Sequence, residues 1–285
     1  MHVRVASAEE VLLLQEWALR EEWGAGVGDI EAFHRVDPEG FLLAWDGDAA
    51  VGSISAVRYS PDYSFVGYYI VDPALRGRGI GHRLFDAALA RIGPASSGLD
   101  GVPEQIDTYA SLGYELAHMT PRYKGDTAVI AASLAGESLD VREVTAADLP
   151  AVLAYDAQHC PAPREAFARE WFAPGGRRRS LLATRGGAVC GLAAVRPLMG
   201  GGARIGPLFA DDLAVARALL GACATTAVMW GDRISLDVPD VNAAAIDLVT
   251  SLGMTTDFAC GRMYRGPVRA LPLDRIWAST SYELG

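Results

Sequence analysis

The residues best suited to chemistry in this sequence lie between positions 71 and 81, in the stretch VDPALRGRGIG. Three glycines and two arginines follow an apolar run, FVGYYI, which has the composition of a buried strand. Glycines allow successive main-chain N–H groups to point at one spot, and the start of a following helix adds its dipole. The stretch therefore predicts a binding site for an anion.

The spacing of these glycines excludes two common phosphate-binding loops. A dinucleotide-binding loop requires G-x-G-x-x-G, and His82 stands where the third glycine would be. A P-loop requires G-K-[S/T], which the stretch lacks. The pattern that is present is Arg76-x-x-Gly79-x-Gly81.

A strand and a helix position this loop. The strand is predicted over residues 65–71, and the apolar spacing after the loop predicts an amphipathic helix that stops at Gly93-Pro94. The apolar face of that helix consists of Leu84, Phe85, Ala88, Leu89 and Ile92. The loop consequently lies at the N-terminus of a helix.

The chain repeats one pattern twice. VRVASAEEVL from Val3 matches VREVTAADLP from Val141, each a short strand followed by a helix-capping box. At a nearly constant offset, the hairpin LLAWDGDAAVG matches LLATRGGAVCG, DTYASLGY matches DLVTSLGM, and RYKG from Arg122 matches MYRG from Met263. These repeats predict two homologous α/β modules, residues 1–134 and 141–285, joined by a linker at 135–140.

The second copy differs where the first has its anion loop. It is shorter there, and it carries Asp211 and Asp212. Because two carboxylates repel phosphate, we expect the second module to be a degenerate copy without the anion site.

Composition excludes several classes of function. The net charge of −10 argues against nucleic-acid binding. No signal-peptide core and no uncharged stretch near ~20 residues is present, which predicts a cytoplasmic protein with no membrane partner. The four cysteines include no C-x-x-C pair, so neither a disulfide framework nor a metal site is expected. The basic run at 177–180 follows Pro-Gly-Gly and is typical of a solvent-exposed turn. The oligomeric state is not defined by the sequence.

The loop and its setting resemble the GNAT acyltransferase superfamily. Arg76-x-x-Gly79-x-Gly81 is similar to that family's pyrophosphate motif, [Q/R]-x-x-G-x-[G/A], and the order of elements over residues 1 to about 134 is similar to its fold. The ending from Arg262, together with GLDGVPEQ, resembles a tandem-GNAT subfamily. The resemblance implies an α/β (α+β) fold of two tandem modules, each a mixed, mostly antiparallel central sheet flanked by helices.

The resemblance also implies a coenzyme A site in the first module. Main-chain groups of Ile70 and Val71 would pair with the pantetheine arm, and the loop would hold the pyrophosphate, with arginines adding positive charge. The residues so implied are Ile70, Val71, Arg76, Gly77, Arg78, Gly79, Ile80, Gly81, His82 and Arg83. The alternative is a solvent-facing basic helix start, for which three glycines are a poor choice at roughly 0.5–1 kcal/mol each.

Tyr109 is the candidate general acid. In the family a tyrosine four residues before the Gly-Phe/Tyr at the end of the last helix protonates the departing thiolate, and Tyr109 stands four before Gly113-Tyr114. The alternative is a core aromatic, but Val249 at the matching position of the second copy could fill the same space. The sequence departs from the family's upstream Asn-x-x-Ala, with Val102 and Gln105 there.

A base is also required, because an ammonium must lose a proton before its nitrogen attacks. The candidates are Glu104, beside the Tyr109 helix, and Glu22, after the first helix; a base acting through water would leave no mark on the sequence. The acidic segment 19–31, with Trp23, suits a cationic amine on the rim of an acceptor channel that opens toward the second module.

The resemblance, together with these residues, implies an acetyl-CoA-dependent N-acetyltransferase. The acceptor would be a primary amine, on a cationic small molecule or a peptide, attacking the thioester directly. The alternative is a non-catalytic acyl-CoA sensor or interaction protein, against which Tyr109 argues because a pure binder has no use for an acid beside the sulfur.

Overall fold

The computed structural model describes residues 1–137 and 139–285, so one residue of the predicted linker, Ser138, lies outside the described residues. The strands of the first half are β1 (His2–Val5), β2 (Phe41–Asp46), β3 (Ala49–Ser60), β4 (Tyr63–Val71), β5 (Ser96–Gly101) and β6 (Glu115–Asp126). Its helices are α1 (Val11–Arg20), α2 (Asp29–Val36), α3 (Ile80–Ile92), α4 (Ile106–Ser111) and α5 (Thr127–Ser133).

The second half repeats this order of elements through its last long strand and then ends in a short strand where the first half has α5. Its strands are β7 (Val141–Glu143), β8 (Arg179–Arg185), β9 (Ala188–Pro197), β10 (Ala203–Ala210), β11 (Arg233–Asp237), β12 (Thr255–Arg265) and β13 (Ile276–Ala278). Its helices are α6 (Leu149–Asp156), α7 (Glu165–Trp171), α8 (Leu213–Ala227) and α9 (Ala243–Ser251).

The helix starts follow the predicted capping boxes. Ser7 N–H donates to Glu10 Oε2 at 2.8 Å, and Glu10 N–H donates to Ser7 Oγ at 3.2 Å, just before α1. Thr145 and Asp148 form the same reciprocal pair before α6. Each box satisfies main-chain donors that a helix start leaves without partners.

All strands join one mixed, mostly antiparallel sheet, in the order β1-β2-β3-β4-β5-β12-β6-β11-β10-β9-β8-β7, with β13 on β10. The parallel pairs are β4 with β5 and β10 with β11. Strand β12 of the second half lies between β5 and β6, while β6 of the first half pairs with β11. Each half therefore completes the sheet of the other, and the division at residues 135–140 describes the sequence repeat only.

Two buried ion pairs hold the exchanged strands. Arg122 on β6 binds Asp237 on β11 through Nε–Oδ1 (2.6 Å) and Nη2–Oδ2 (3.0 Å). Arg262 on β12 binds Asp100 on β5 through the same atoms at 2.8 and 2.7 Å. Arg122 and Arg262 are therefore structural counterparts. The sequence match aligns Arg122 with Met263 instead, which is one residue later. Because removing one partner would leave a buried charge unpaired, these pairs favour the exchanged arrangement.

A gap opens in the sheet of each half. Pairing between β4 and β5 ends at Val66 with Leu99, and pairing between β10 and β11 ends at Ile205 with Leu236. We call the space beyond the first pair the first gap and the space beyond the second pair the second gap. A glycine follows in each case, Gly67 on β4 and Gly206 on β10.

Helix α8 carries much of the second core. By length and composition alone, Leu213–Trp230 could span a membrane, and half of that window is buried inside the protein. It contains Arg217, whose Nε donates to Glu137 Oε1 at 2.7 Å, and the helix packs against β9 and α5. A core helix passes the same length and composition test, so the packing explains its apolar sequence.

Candidate active site

A cavity of about 400 Å³ occupies the first gap. Its first-half walls come from β4, β5 and the start of α3, and its far wall comes from Phe258 and Cys260 on β12 and from Tyr282 and Glu283 near the end of the chain. Small-molecule sites favour concave spaces of this size between domains. Residues from both halves therefore build one site.

A bulge in β4 shapes the floor of the cavity. The register with β3 shifts between Ser53 opposite Ile70 and Ser55 opposite Gly67, and Tyr68 adopts a positive φ of 46°. Ser53 Oγ donates to the Tyr68 carbonyl at 2.7 Å, which satisfies the group that the bulge removes from the ladder. Beyond Val66, the main chain of β4 faces the cavity without a partner strand on the β5 side.

The glycine loop ends at an open helix N-terminus. Gly77 and Gly79 have φ values of 79° and 78°, and Gly79 is the N-cap of α3 with no side chain capping it. Main-chain N–H groups at the first turn are therefore available to an anion. Gly81 is required by contact, since a Cβ there would lie 2.2 Å from the Tyr69 hydroxyl.

The structure brings most of the implied coenzyme A residues together. Those that line the cavity are Ile70, Val71, Arg76, Gly77, Ile80 and Gly81. Arg78, Gly79, His82 and Arg83 are exposed and alternate with or follow the lining residues along the same loop and helix start. Arg76 already has partners, because its Nη2 binds Glu21 Oε1 at 2.6 Å and its Nε donates to the Val71 carbonyl at 3.1 Å.

Tyr109, the candidate general acid, lines the cavity. Only 7% of it is exposed, and its ring packs on Gly101, where a Cβ would lie 2.5 Å from Cε2. Burial raises the pKa of Tyr109, so its hydroxyl stays protonated at neutral pH. That hydroxyl makes no hydrogen bond to any described residue, which leaves it free for a substrate.

The two candidate bases lie elsewhere. Glu22 and Glu104 are exposed, and neither side chain lines the cavity. The carboxylates that do line it are Glu21, Asp100 and Glu283. Glu283 lies in the chain ending that resembles the tandem-GNAT subfamily, but no repeat pointed to it as a site residue, because it follows the last element that the two halves share.

The acidic segment 19–31 exposes fewer unpaired carboxylates than its sequence suggests. Asp29 is buried and binds Arg196 Nε at 2.8 Å and Arg178 Nη2 at 3.2 Å. Trp23 lines the cavity, and its carbonyl accepts hydrogen bonds from Arg122 and Arg204. The segment therefore docks on the second half, and the expectation of a free acidic rim is wrong for Asp29.

The basic run at 177–180 is also partly buried. The Arg178 guanidinium stacks 3.5 Å over the Trp171 ring and pairs with Asp29, which leaves 11% of its side chain exposed. The prediction of a solvent-exposed turn is wrong for this residue, because its carboxylate partner comes from the other half of the chain.

The second gap is filled by the chain itself. Strand β13 pairs with β10 at Leu208 and Phe209, and Trp277 Nε1 donates to the Ala210 carbonyl at 3.1 Å. Ser279 N–H donates to the Asp237 carbonyl at 2.8 Å, so the segment contacts both sides of the gap. A small space of about 40 Å³ borders this segment, with Phe209, Ile276 and Ser279 on one side and first-half residues such as Tyr59 and Phe65 on the other.

The N-terminus of α8, the helix that follows the second gap, is capped by a carboxylate of the chain. Asp212 is the N-cap of α8, and its carboxylate accepts the Val215 N–H at 3.0 Å. Arg185 pairs with the same carboxylate at 2.8 Å. The N-terminal charge that a phosphate would neutralise is already neutralised.

Comparison with known proteins agrees with this geometry. Residues 8–100 match the profile described as acetyltransferase (GNAT) family, and residues 152–278 match the profile described as acetyltransferase (GNAT) domain. Holothin acyltransferase from Pseudoalteromonas sp. (strain SANK 73390) is 34% identical over 284 residues, covering 98% of this chain and 93% of that protein. The chain belongs to the GNAT acyltransferase family. It is a tandem GNAT protein, and members of this family take their acyl group from an acyl-CoA donor.

Solved structures share the tandem GNAT fold. A putative acetyltransferase from Pyrococcus horikoshii superposes with a TM-score of 0.82 at 21% identity, covering 100% of this chain and 95% of that one. A tandem GNAT protein from the clavulanic acid biosynthesis pathway gives 0.65 at 18% identity, covering 93% and 99%. At these identities the likeness concerns the fold, and it confirms two GNAT modules with mixed, mostly antiparallel sheets.

Proposed function

We propose that this GNAT acyltransferase transfers an acetyl group from acetyl-CoA, held in the first gap, to a primary amine. The observation that carries the proposal is the Tyr109 hydroxyl, which is buried, protonated and without a hydrogen-bond partner among the described residues, in a cavity beside an open helix N-terminus. A hydroxyl so placed can protonate a departing thiolate.

The residues around the first gap fit an acyl-CoA. The free N–H groups after Gly79 would bind the pyrophosphate, and Arg76 would add charge once the anion competes with Glu21. The main chain of Ile70 and Val71 would pair with the pantetheine arm where β5 has moved away. N–H groups of the bulge near Ile70 would face the thioester oxygen and stabilise its developing charge.

The amine acceptor is supported by the far wall of the cavity, which presents the Glu283 carboxylate beside aromatic side chains. The 34% identical relative is by its name an acyltransferase of holothin, so holothin is one acceptor to test. The non-catalytic alternative is not favoured, since it leaves the free Tyr109 hydroxyl without a role.

A thiol-release assay with acetyl-CoA and a panel of amines, holothin included, tests the proposal. We expect turnover with at least one amine, and intersecting double-reciprocal plots because the amine attacks the thioester directly without a covalent acyl-enzyme. Binding of acetyl-CoA with no thiol release above buffer for any amine, alcohol or thiol would instead support the sensor. Parallel double-reciprocal plots would contradict direct attack.

A further inference from the structure

Glu283 differs from the other carboxylates of the cavity in having no cation of its own. Glu21 is paired with Arg76, and Asp100 is paired with Arg262. The Glu283 side chain lines the cavity, is 5% exposed, and has no hydrogen-bond or ion-pair partner among residues 1–137 and 139–285. A buried carboxylate without a partner is costly, so a ligand that supplies a cation would be stabilised there.

The main chain around Glu283 is held firmly. A Cβ on Gly67 would lie 2.0 Å from the Glu283 carbonyl oxygen, so the segment packs directly against the bulge of β4. Tyr282 Oη donates to the Thr120 carbonyl at 2.5 Å, and Tyr59 Oη donates to the Leu284 carbonyl at 2.6 Å. Residues on both sides of Glu283 are thus anchored to the first half, which fixes the direction of its side chain.

The charged groups around Glu283 pair with one another except for Arg204, so without Glu283 they carry one net positive charge. The titratable groups around it are Tyr68 on β4, Asp100 on β5, Arg122 on β6, Arg204 on β10, Asp237 on β11, Cys260 on β12 and Tyr282 beside it, with Glu21 also on the cavity wall. Arg122 pairs with Asp237, and Asp100 pairs with Arg262. Arg204 contacts carbonyl and hydroxyl oxygens and has no carboxylate within 4.0 Å among the described residues.

Aromatic groups surround the same end of the cavity. Trp23, Phe258 and Tyr282 line it together with Glu283. A carboxylate inside aromatic walls suits a protonated amine on a compact, apolar body, because the ammonium gains a counter-ion and the body packs on the rings. The Phe258 and Tyr282 rings each already have the Arg122 guanidinium over one face. A cavity of about 400 Å³ that also receives the pantetheine arm leaves room for a small molecule.

We propose that Glu283, carried into the first module by the last residues of the second, binds the ammonium of a small-molecule acceptor and acts as the general base of acyl transfer. This inference rests on the proposed function. Glu283 takes one proton from the ammonium, and the nitrogen lone pair then forms the N–C bond to the thioester carbonyl carbon. The C–S bond breaks with its electron pair on sulfur, and the thiolate takes the Tyr109 proton. The nitrogen then loses its second proton to solvent. Solvent returns one proton to Tyr109, and Glu283 releases to solvent the proton that it took.

Glu283→Gln tests the base, since the amide keeps the shape of the side chain and cannot accept the proton. We expect kcat to fall by about 10²-fold or more, as for loss of a general base, with the Kd of acetyl-CoA changed less than about twofold. Asp232→Asn, which changes a side chain that is 89% exposed, is the matched control and should leave kcat unchanged. A loss of that size in Glu22→Gln or Glu104→Gln, with Glu283→Gln active, would overturn the proposal.

The pH dependence separates a base from a structural role. For a primary alkylamine with a pKa near ~10, the deficit of Glu283→Gln should shrink as pH rises toward that value, because the acceptor then arrives neutral. An aromatic amine that is neutral at pH 7 should show a small deficit at every pH. An equal deficit for both acceptors at every pH would contradict the role of base. If Glu283→Gln melts well below wild type, Glu283→Asp, which keeps the charge, should recover part of kcat.

Binding of the ammonium can be measured without turnover. In protein labelled with ¹³C at the glutamate side-chain carboxyl carbons, the signal absent from Glu283→Gln belongs to Glu283. We expect that signal to shift when butylammonium is added and to stay in place with butanol. If no amine is acylated but the shift occurs, the proposed function fails while the ammonium site stands. If acylation occurs without any shift, the assignment of Glu283 is overturned.

Discussion

The two gaps of the sheet lie at matching positions of the repeat, but the first is an open cavity and the second is filled by the chain. In the first, Gly101 makes room for the ring of Tyr109, and the cavity stays open. In the second, Val238 and Val249 stand at the matching positions, and β13 fills the space between β10 and β11. The helix after the first gap is capped by Gly79 without a side chain, whereas Asp212 caps its counterpart.

This difference shows how the second half can contribute wall residues to a cavity that opens in the sheet of the first half. The segment that fills the second gap continues into residues 279–285, which reach the first cavity with Tyr282 and Glu283. One stretch of chain, from β13 to residue 285, therefore fills the second gap and completes the wall of the first. A fragment ending near Leu134 would lack β12 beside β5 and both cavity residues of the tail, so we expect it to be unstable or inactive.

The largest expected effect concerns the open helix end. Gly79→Asp places a carboxylate at the proposed pyrophosphate site and strains a φ of 78°, so coenzyme A affinity should fall by about 10³-fold or more. Wild-type protein should bind one coenzyme A per chain in calorimetry. Gly175→Asp, at a φ of 82° in an exposed turn, controls for strain and should bind normally. Two equivalent sites per wild-type chain would contradict the filled second gap.

The next effect concerns the strand that fills the second gap. Trp277 is 3% exposed and holds β13 to Ala210, so Trp277→Ala should lower the free energy of unfolding by about 3–5 kcal/mol. Denaturant titration measures the change, and Leu213→Ala, at a position 47% exposed, should change it by less than about 1 kcal/mol. A loss below about 1 kcal/mol for Trp277→Ala would show that the second gap tolerates being empty.

Tyr109→Phe tests the open gap with a smaller change. It keeps the ring on Gly101 and removes the hydroxyl, so kcat should fall by about 10²-fold while the Kd of acetyl-CoA changes little. Tyr123→Phe serves as the control; Tyr123 lies on β6, and its side chain packs into the core of the second half. Equal losses in affinity and rate would assign Tyr109 to packing instead of proton transfer.

The smallest effect compares His118 with Phe258, its counterpart across the exchanged strands. Burial and the charge of Arg262 lower the pKa of His118 to about 4. The unfolded chain, with a His pKa near 6.5, takes up the proton first as pH falls, so stability present above pH ~6.5 is lost toward pH 4. Between pH 8 and 5 this loss is about 2 kcal/mol.

His118→Phe, which copies Phe258, should remove that part of the pH dependence. Unfolding titrations at pH 8, 6.5 and 5 measure it, with His2→Phe, at an exposed position of β1, as the control. Identical pH slopes for wild type and His118→Phe would show that His118 is not held neutral by burial.

The sequence alone determined the local elements, including the glycine loop that ends at an open helix N-terminus. The repeats, the capping boxes, the hairpins and the strand–loop–helix around Arg76, Gly79 and Gly81 depend on neighbouring residues, whose propensities and spacing are visible in the chain. The position of Tyr109 before Gly113 was visible for the same reason.

Only the tertiary structure decided which residues from distant parts of the chain meet. The exchange of β6 and β12 was not visible, because either pairing satisfies the same alternation of apolar residues, and the choice is associated with buried Arg–Asp pairs across the halves. In the sequence, Asp29 and Arg178 are typical of solvent-exposed charges. The fold shows that they pair with each other. Glu283 lies far from the motif in sequence, and it reaches the cavity because β13 fills the second gap and directs the following residues against Gly67. Long-range packing of this kind leaves no period or spacing in a single sequence.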